Sequence, residues 1–416
     1  MNRESAASII ESTRANCATA EHTHDAPGIV VEAARQPDAE VMTICHFSTA
    51  HRMLKSRTFH RQCVPLAAAG FRVRYVSPAR DRGRQDGVDF VPVSWRKNRW
   101  LRLLATPSLL KKLLRQSAHI YYFQDPELLP LAFLLKLVLR KRVVYDAYED
   151  FPSMARAAGS IPRAVRPLAE RLVATAEHLA AHFFDGLITA DPLTLRRLAH
   201  TGRSRKTVFY NFPNLDFFPS PSPGPKVFDI VYRGGVSERA GTFVLLEAVR
   251  LLAGQGRRVR LLLIGYFDSS KAEMQLHDRI HALGLQSSVE LEGRLDHGKM
   301  AEALSRARIG VSPLQNTPKF RVNLPVKIFE YWACELPVIA SDLPSIQPFF
   351  RQALAGLLFQ PGDAHGLAQS IGWLLDHPAQ AARMGLRGRA MIVKRFNNEL
   401  EARKLRAFCR RIAAAT

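Results

Sequence analysis

NTPKFRVNLPVKIFEYWACELPVIASD, residues 316–342, reads as loop, helix, turn and strand. Asn323 is placed to cap a helix, and Pro325 sits just inside its start, where a missing N–H costs nothing. Ile328, Phe329, Trp332 and Ala333 then recur at helical spacing. Pro337 ends the helix, and Val338-Ile339-Ala340 forms a short buried strand. Lys327 and Glu330 share one helical face close to its N-terminal end. That end carries free amides and about half a positive charge, which suits a diphosphate. A lysine there adds countercharge, and a carboxylate one turn later can accept two hydrogen bonds from a ribose diol. The plain alternative is a surface ion pair on an amphipathic helix, worth ~0–1 kcal/mol.

The same alternation of strand and helix runs outward in both directions. A strand over 41–47, an amphipathic helix over 53–69, Gly70 and a strand over 71–76 make a βαβ opening of doubly wound type. Further strands are expected over 118–123, 141–145, 186–190 and 207–210, with a long helix over 162–183 and another opening at Asp191-Pro192. Residues 212–226 are proline-rich and aperiodic, the composition of a linker. The alternation restarts at 228–232, where Gly234-Gly235 closes the strand and a helix is expected over 236–252, with Ser237 as cap. A glycine pair between strand and helix lets amides approach a phosphate, although a tight turn also needs glycine. Strands follow over 258–264, 289–292, 309–313 and 356–359, with helices over 300–307 and 367–375. The chain thus divides into a polar, mobile tail (1–40), a Rossmann-like domain (41–211), the linker, a second Rossmann-like domain (227–395) and a basic amphipathic C-terminal segment (396–416).

Several of these strings, in order, resemble the retaining family 4 glycosyltransferases of GT-B fold, in the branch that builds capsular polysaccharides and exopolysaccharides. N-L-P-x-K-x-F-E-Y-x-A followed by PVIASD is similar to that family's nucleotide-sugar segment. The resemblance implies that Lys327 contacts the donor diphosphate and Glu330 the donor ribose, with Asn323 beside them. Many members carry a second glutamate eight positions earlier; Val322 stands there. YRGGVSERAGTFVLLEAV resembles the second-domain opening, which implies donor contacts from Gly234, Gly235 and an arginine or lysine near the helix start. Many members place those cations where this chain has Gly235 and Ala240, so the adjacent Arg239 is the candidate. Arg294, after Gly293, corresponds to a loop near the donor base. HFSTAHRMLKSRTFHRQ implies His51 and Arg57 near acceptor or phosphate; a solvated turn is the alternative for each. YYFQDPELLPLAFLLK and VVYDAYEDFP resemble two landmarks that commonly carry histidines where Gln124 and Tyr148 stand. Tyr148 can donate a hydrogen bond but cannot be a cation near neutral pH. Asp125, Asp146, Glu149 and Asp150 are then cleft-edge carboxylates, each open to a simpler reading as a cap. Tyr148, Glu149 and Asp125 form the candidate catalytic set. The C-terminal segment is expected to cross back to the first domain.

The activity implied is sugar transfer from a nucleotide-sugar to a lipid-linked or polysaccharide-precursor acceptor, with retention, without metal or other cofactor. Two alternatives stand beside it: a nucleotide-sugar-binding protein that has lost chemistry, and an epimerase or phosphorylase on the same architecture.

Composition sets the outer limits. A chain of 416 residues holds two domains of ordinary size, and 47% hydrophobic with 23% charged residues marks a soluble globular protein. No apolar run approaches the ~20 residues that span a bilayer, and the N-terminus lacks the basic-then-apolar layout of a secretory signal. Five scattered cysteines without a C-x-x-C pair fit reduced thiols in a cytosol. The formal charge is +22, and residues 1–40 contribute −4, so the remainder carries +26. Such an excess favours polyanionic partners. Zinc-finger spacing and aromatic RNA-binding signatures are missing, which argues against nucleic acid. Residues 95–115 hold seven Lys/Arg, seven leucines, Trp95 and Trp100, and no acid. Such a segment can lie in an anionic membrane interface or pack on the sheet as a surface helix. With the resemblance, it places the expected protein in the cytoplasm, peripheral on the inner face of a bacterial plasma membrane.

Overall fold

β1 (Thr43–Phe47) has all five side chains buried, the mark of a strand covered on both faces. It pairs in parallel with β2 (Arg72–Ser77) and β5 (Ile120–Phe123). β4 (Val88–Pro92) lies beyond β2 and carries the one antiparallel strand of this sheet, β3 (Gly83–Gln85). On the other side follow β6 (Val143–Ala147), β7 (Gly186–Thr189) and β8 (Arg205–Val208), giving the order β3-β4-β2-β1-β5-β6-β7-β8. The computed structural model describes residues 41–49, 56–78, 80–94, 106–159, 161–199, 204–221, 224–267 and 269–414.

A second, wholly parallel sheet has the order β11-β10-β9-β12-β13-β14. Its strands are β9 (Phe228–Gly235), β10 (Leu261–Tyr266), β11 (Val289–Glu292), β12 (Ala307–Ser312), β13 (Val338–Ser341) and β14 (Gly356–Phe359). Both sheets are Rossmann-like, and both reverse direction once. The reversals fall between β1 and β5 and between β9 and β12. Crevices at the carboxyl ends of such strand pairs are where open α/β sheets bind ligands.

Several expectations are corrected. The helix over 53–69 appears, in its described part, as a π-helical turn, Ser56–Cys63, leading into Val64–Ala68. Asn323 does not cap the central helix. That helix is Val326–Ala333, its cap position is Pro325, and Asn323 instead ends the preceding short helix Pro318–Val322. The helix expected over 236–252 begins only at Thr242 and runs to Gly254. Residues 236–240 turn instead, with Ser237 Oγ accepting from the Ala240 amide at 3.2 Å. The chain must turn there because Gly241, at φ +77°, lies against the Pro313 carbonyl.

Residues 212–226 are not a free tether along their length. Phe212 and Phe218 are buried in the second domain's core with Phe329, Trp332 and Phe396. The C-terminal helix Asn398–Ala413 does the converse. Its Leu405, Phe408, Cys409 and Ile412 join Ile44, Phe59 and Tyr122 in a first-domain core. Asn397 Oδ1 caps it through the Leu400 amide at 3.0 Å, and Glu401 accepts from the Tyr210 amide at 2.9 Å. No helix among the described residues is long and apolar enough to cross a membrane. In the basic segment, Thr106–Leu114 packs Leu109 and Leu113 against the first sheet. Residues 95–105 and the N-terminal 40 lie outside the described residues.

Candidate active site

Lys327 and Glu330 project from the first turn and a half of Val326–Ala333, the helix following β12. Their neighbours are on β9, across the reversal of the second sheet. Lys327 Nζ stands 4.1 Å from the centroid of the Tyr232 ring, a cation–π contact. Gly234 lies alongside; a Cβ built there would come within 3.0 Å of Nζ, and its φ of +140° also excludes most side chains. Lys327 is only 9% exposed. Burial, and then the neighbouring Arg233, pull its pKa down to about 7, with Glu330 opposing.

Glu330 is 1% exposed. Arg233 Nη1 is 3.0 Å from its Oε2, an ion pair without hydrogen-bond alignment, and neither carboxylate oxygen accepts a hydrogen bond among the described residues. The Arg233 amide is tied to Tyr331 Oη at 2.8 Å. Two further buried polar atoms, Ser312 Oγ at the end of β12 and Gln315 Nε2 just beyond it, also lack partners among the described residues. Unfilled hydrogen-bonding capacity at a sheet's carboxyl edge is what a polar ligand requires.

The first domain faces this crevice with the loops after β5 and β6. Glu149 spans the gap: its Oε2 accepts from Asn323 Nδ2 at 2.5 Å and lies 3.3 Å from Lys319 Nζ. Asn323 is therefore committed to a contact between domains. Tyr148 packs edge-on against Phe151 with ring centroids 5.3 Å apart. Burial, and then the nearby Asp125 and Glu149, hold its phenol well above the ordinary range, so it stays a neutral donor. Asp125 is buried, accepting from Ser48 Oγ at 2.6 Å and the Thr49 amide at 3.1 Å.

Not every candidate is brought to this place. Arg57 was expected near acceptor or phosphate; it is instead buried in a bidentate pair with Asp146, at 2.9 and 2.7 Å. Its remaining nitrogen serves the Phe209 carbonyl and Asn211 Oδ1 at 2.9 and 2.8 Å. Asp146, expected at the cleft edge, is completely buried and also accepts from Gln62, Gln124 and Tyr122. Strand β6 is covered on both faces, so a charge at its fourth residue had to find partners inside. Asp150 is a helix cap, accepting from Ser153. Arg239 is exposed, and its role in the fold is a carbonyl that accepts from the Gln315 amide at 3.0 Å. Arg294 is exposed on the loop after β11. Gly235 lies against the Tyr266 ring, and its carbonyl accepts from Tyr232 Oη at 2.7 Å. His51 lies outside the described residues.

Two site residues were missed. Arg233 lies within the YRGG string already singled out, but strand position does not say which neighbour a side chain meets. Arg61 is buried on Ser56–Cys63, and Glu330 and Arg233 of the other domain act on its charge. No local pattern signals that the charges at positions 61 and 330 act on one another.

Residues 227–377 match the family described as "Glycosyl transferases group 1". Among curated proteins, the amylovoran biosynthesis glycosyltransferase AmsK of Erwinia amylovora is 30% identical over 43% of this chain and 43% of its own length. The lipopolysaccharide core biosynthesis glycosyltransferase LpsE of Rhizobium meliloti is 29% identical over 43% of this chain and 48% of its own. The chain thus spans less than half the length of these relatives. Among solved structures, sucrose-phosphate synthase from Thermosynechococcus elongatus superposes with a TM-score of 0.73 at 21% identity, covering 90% of this chain and 100% of that one. Anabaena HepE in complex with UDP-glucose gives 0.70 at 15% identity, covering 89% and 100%. At these identities the likeness is one of fold, and the fold is GT-B.

Proposed function

We propose that the protein, whose residues 227–377 match the group 1 glycosyltransferases, moves a sugar from a nucleotide-sugar to a growing bacterial surface polysaccharide. The acceptor in this reading is lipid-linked or a polysaccharide precursor. The observation that carries the reading is the buried Lys327–Glu330 pair at the carboxyl ends of β9 and β12, opposite the first domain. The similarly folded HepE of Anabaena is solved in complex with UDP-glucose, which supports a nucleotide-sugar as donor here.

The donor diphosphate lies at the tip of Val326–Ala333, against Lys327 and the amides around Gly234-Gly235. Glu330 takes the ribose diol, leaving the sugar toward Asp125, Tyr148 and Glu149. As the bond from the anomeric carbon to the phosphate oxygen breaks, charge grows on the leaving diphosphate. A diphosphate beside Lys327 restores its full protonation, since an adjacent anion raises a depressed lysine pKa. A fixed cation aimed at developing charge supplies roughly 2–4 kcal/mol. The acceptor oxygen bonds the anomeric carbon on the face the leaving group vacates, its proton passing to the departing phosphate. The configuration is retained, and cationic side chains do the work a metal would otherwise do.

The test is incubation of purified protein with a panel of nucleotide-sugars. Transfer or slow donor hydrolysis supports the enzyme; wild-type that leaves every donor intact refutes it. Tight binding without turnover favours the second reading, a binding protein, for which Gln124 and Tyr148 speak: Gln124 is fully engaged with Thr58, Gln62 and Asp146. Membrane association through 95–115 belongs to the same proposal. Changing Arg96, Lys97, Arg99 and Arg102 together to Glu is expected to release the protein from anionic vesicles, and unchanged co-sedimentation ends that part.

A further inference from the structure

Arg233 immediately precedes the Gly234-Gly235 pair on β9. Its backbone is pinned by Tyr331 Oη, but its side chain is 25% exposed and reaches Glu330 Oε2 at 3.0 Å. It therefore occupies the carboxylate assigned to the donor ribose. The pairing is incomplete, because neither Glu330 oxygen accepts an aligned hydrogen bond among the described residues. A vicinal diol would bring two O–H donors to an acceptor that now receives none. Lys327 stands beside it, over the Tyr232 ring and against Gly234, the residue that follows Arg233. Arg233 and Lys327 thus bring two cationic side chains to one carboxylate, and an adjacent diphosphate that restores the lysine's proton leaves a positive charge to meet it.

We propose that Arg233 is a donor-binding residue that pairs with Glu330 and turns to the diphosphate once the ribose claims that carboxylate. This inference rests on the function proposed above and adds to it the residue that replaces Arg239 as the second diphosphate cation. It also gives the two parts of the donor opposite relations to Arg233. The nucleoside must displace the guanidinium, whereas the diphosphate gains it as a charge-assisted ligand.

The experiment measures affinities of wild-type and Arg233→Gln for UDP and uridine, with GDP and guanosine in parallel. Arg233→Gln is expected to weaken the nucleoside diphosphate about tenfold or more while tightening the nucleoside severalfold. Should the variant fail to fold by thermal melt, Arg233→Lys provides the same comparison, with the diphosphate loss smaller and the nucleoside gain kept. Parallel weakening of both ligands assigns Arg233 a purely structural role and overturns the inference, as does no change in either. Wild-type that binds none of the four overturns the functional reading and this inference together. Wild-type binding with parallel loss overturns this inference alone.

Discussion

Lys327 is a cation kept where charge is penalised. Its burial beside Arg233 is tolerable because a pKa of about 7 lets the proton leave. Lys327→Ala and Glu330→Ala are each expected to lower sugar transfer at least roughly tenfold, about 1.4 kcal/mol or more, with the fold intact; wild-type turnover in both removes the assignment. His46 provides a separate residue-scale prediction. Its ring centroid lies 4.3 Å from that of Tyr122, tilted by 35°, and burial lowers its pKa to about 4 despite the pull of Asp146. The native state therefore holds His46 neutral while the unfolded chain protonates near 6.5. Stability is full above that value and is lost as pH falls toward 4, by on the order of 3 kcal/mol. The stability obtained from denaturant titrations should fall more steeply with decreasing pH across this range for wild-type than for His46→Phe. At this scale Lys327 and Glu330 were legible, since helix spacing alone puts them on one face. Arg57 was not, because a string cannot say whether an arginine meets a ligand or a buried Asp146.

Elements, rather than side chains, place the glycine loop. Gly241 opens the helix Thr242–Gly254 at φ +77°, and a Cβ there would fall 1.6 Å from the Pro313 carbonyl oxygen. Gly241→Ala combines left-handed strain with a backbone clash, each worth ~1–3 kcal/mol. It should cost on the order of 3 kcal/mol in chemical denaturation and weaken nucleotide binding, because the same turn positions Gly234-Gly235. A variant as stable as wild-type removes this account. The strand–helix alternation was readable from period and from glycine and proline punctuation. Helix starts were less so: Asn323 and Ser237 are good caps by type, yet close packing at Gly241 and the contact with Glu149 directed both elsewhere.

Across the whole molecule, the chain returns to where it began. Leu405, Phe408, Cys409 and Ile412, each no more than 1% exposed, complete a core built by β1 and its neighbours. At ~1.5–3 kcal/mol for each large apolar side chain, their loss is comparable with the entire stability of a domain. Deleting residues 397–416 is therefore expected to abolish cooperative unfolding of the first domain, read by thermal melt and limited proteolysis; a sharp wild-type transition in the truncated chain would contradict it. Glu149 makes the other long-range junction, through Asn323 and Lys319. The amino-acid sequence by itself determined the two α/β repeats, the glycine pair and the Lys327–Glu330 face, because periodicity and punctuation are local properties of a string. Only the tertiary structure decided that Arg233 sits on Glu330, that Arg57 is spent on Asp146 and that Glu149 reaches across the cleft. Those pairings depend on which buried charges meet after distant segments pack, and each charge takes the nearest partner that offsets its desolvation.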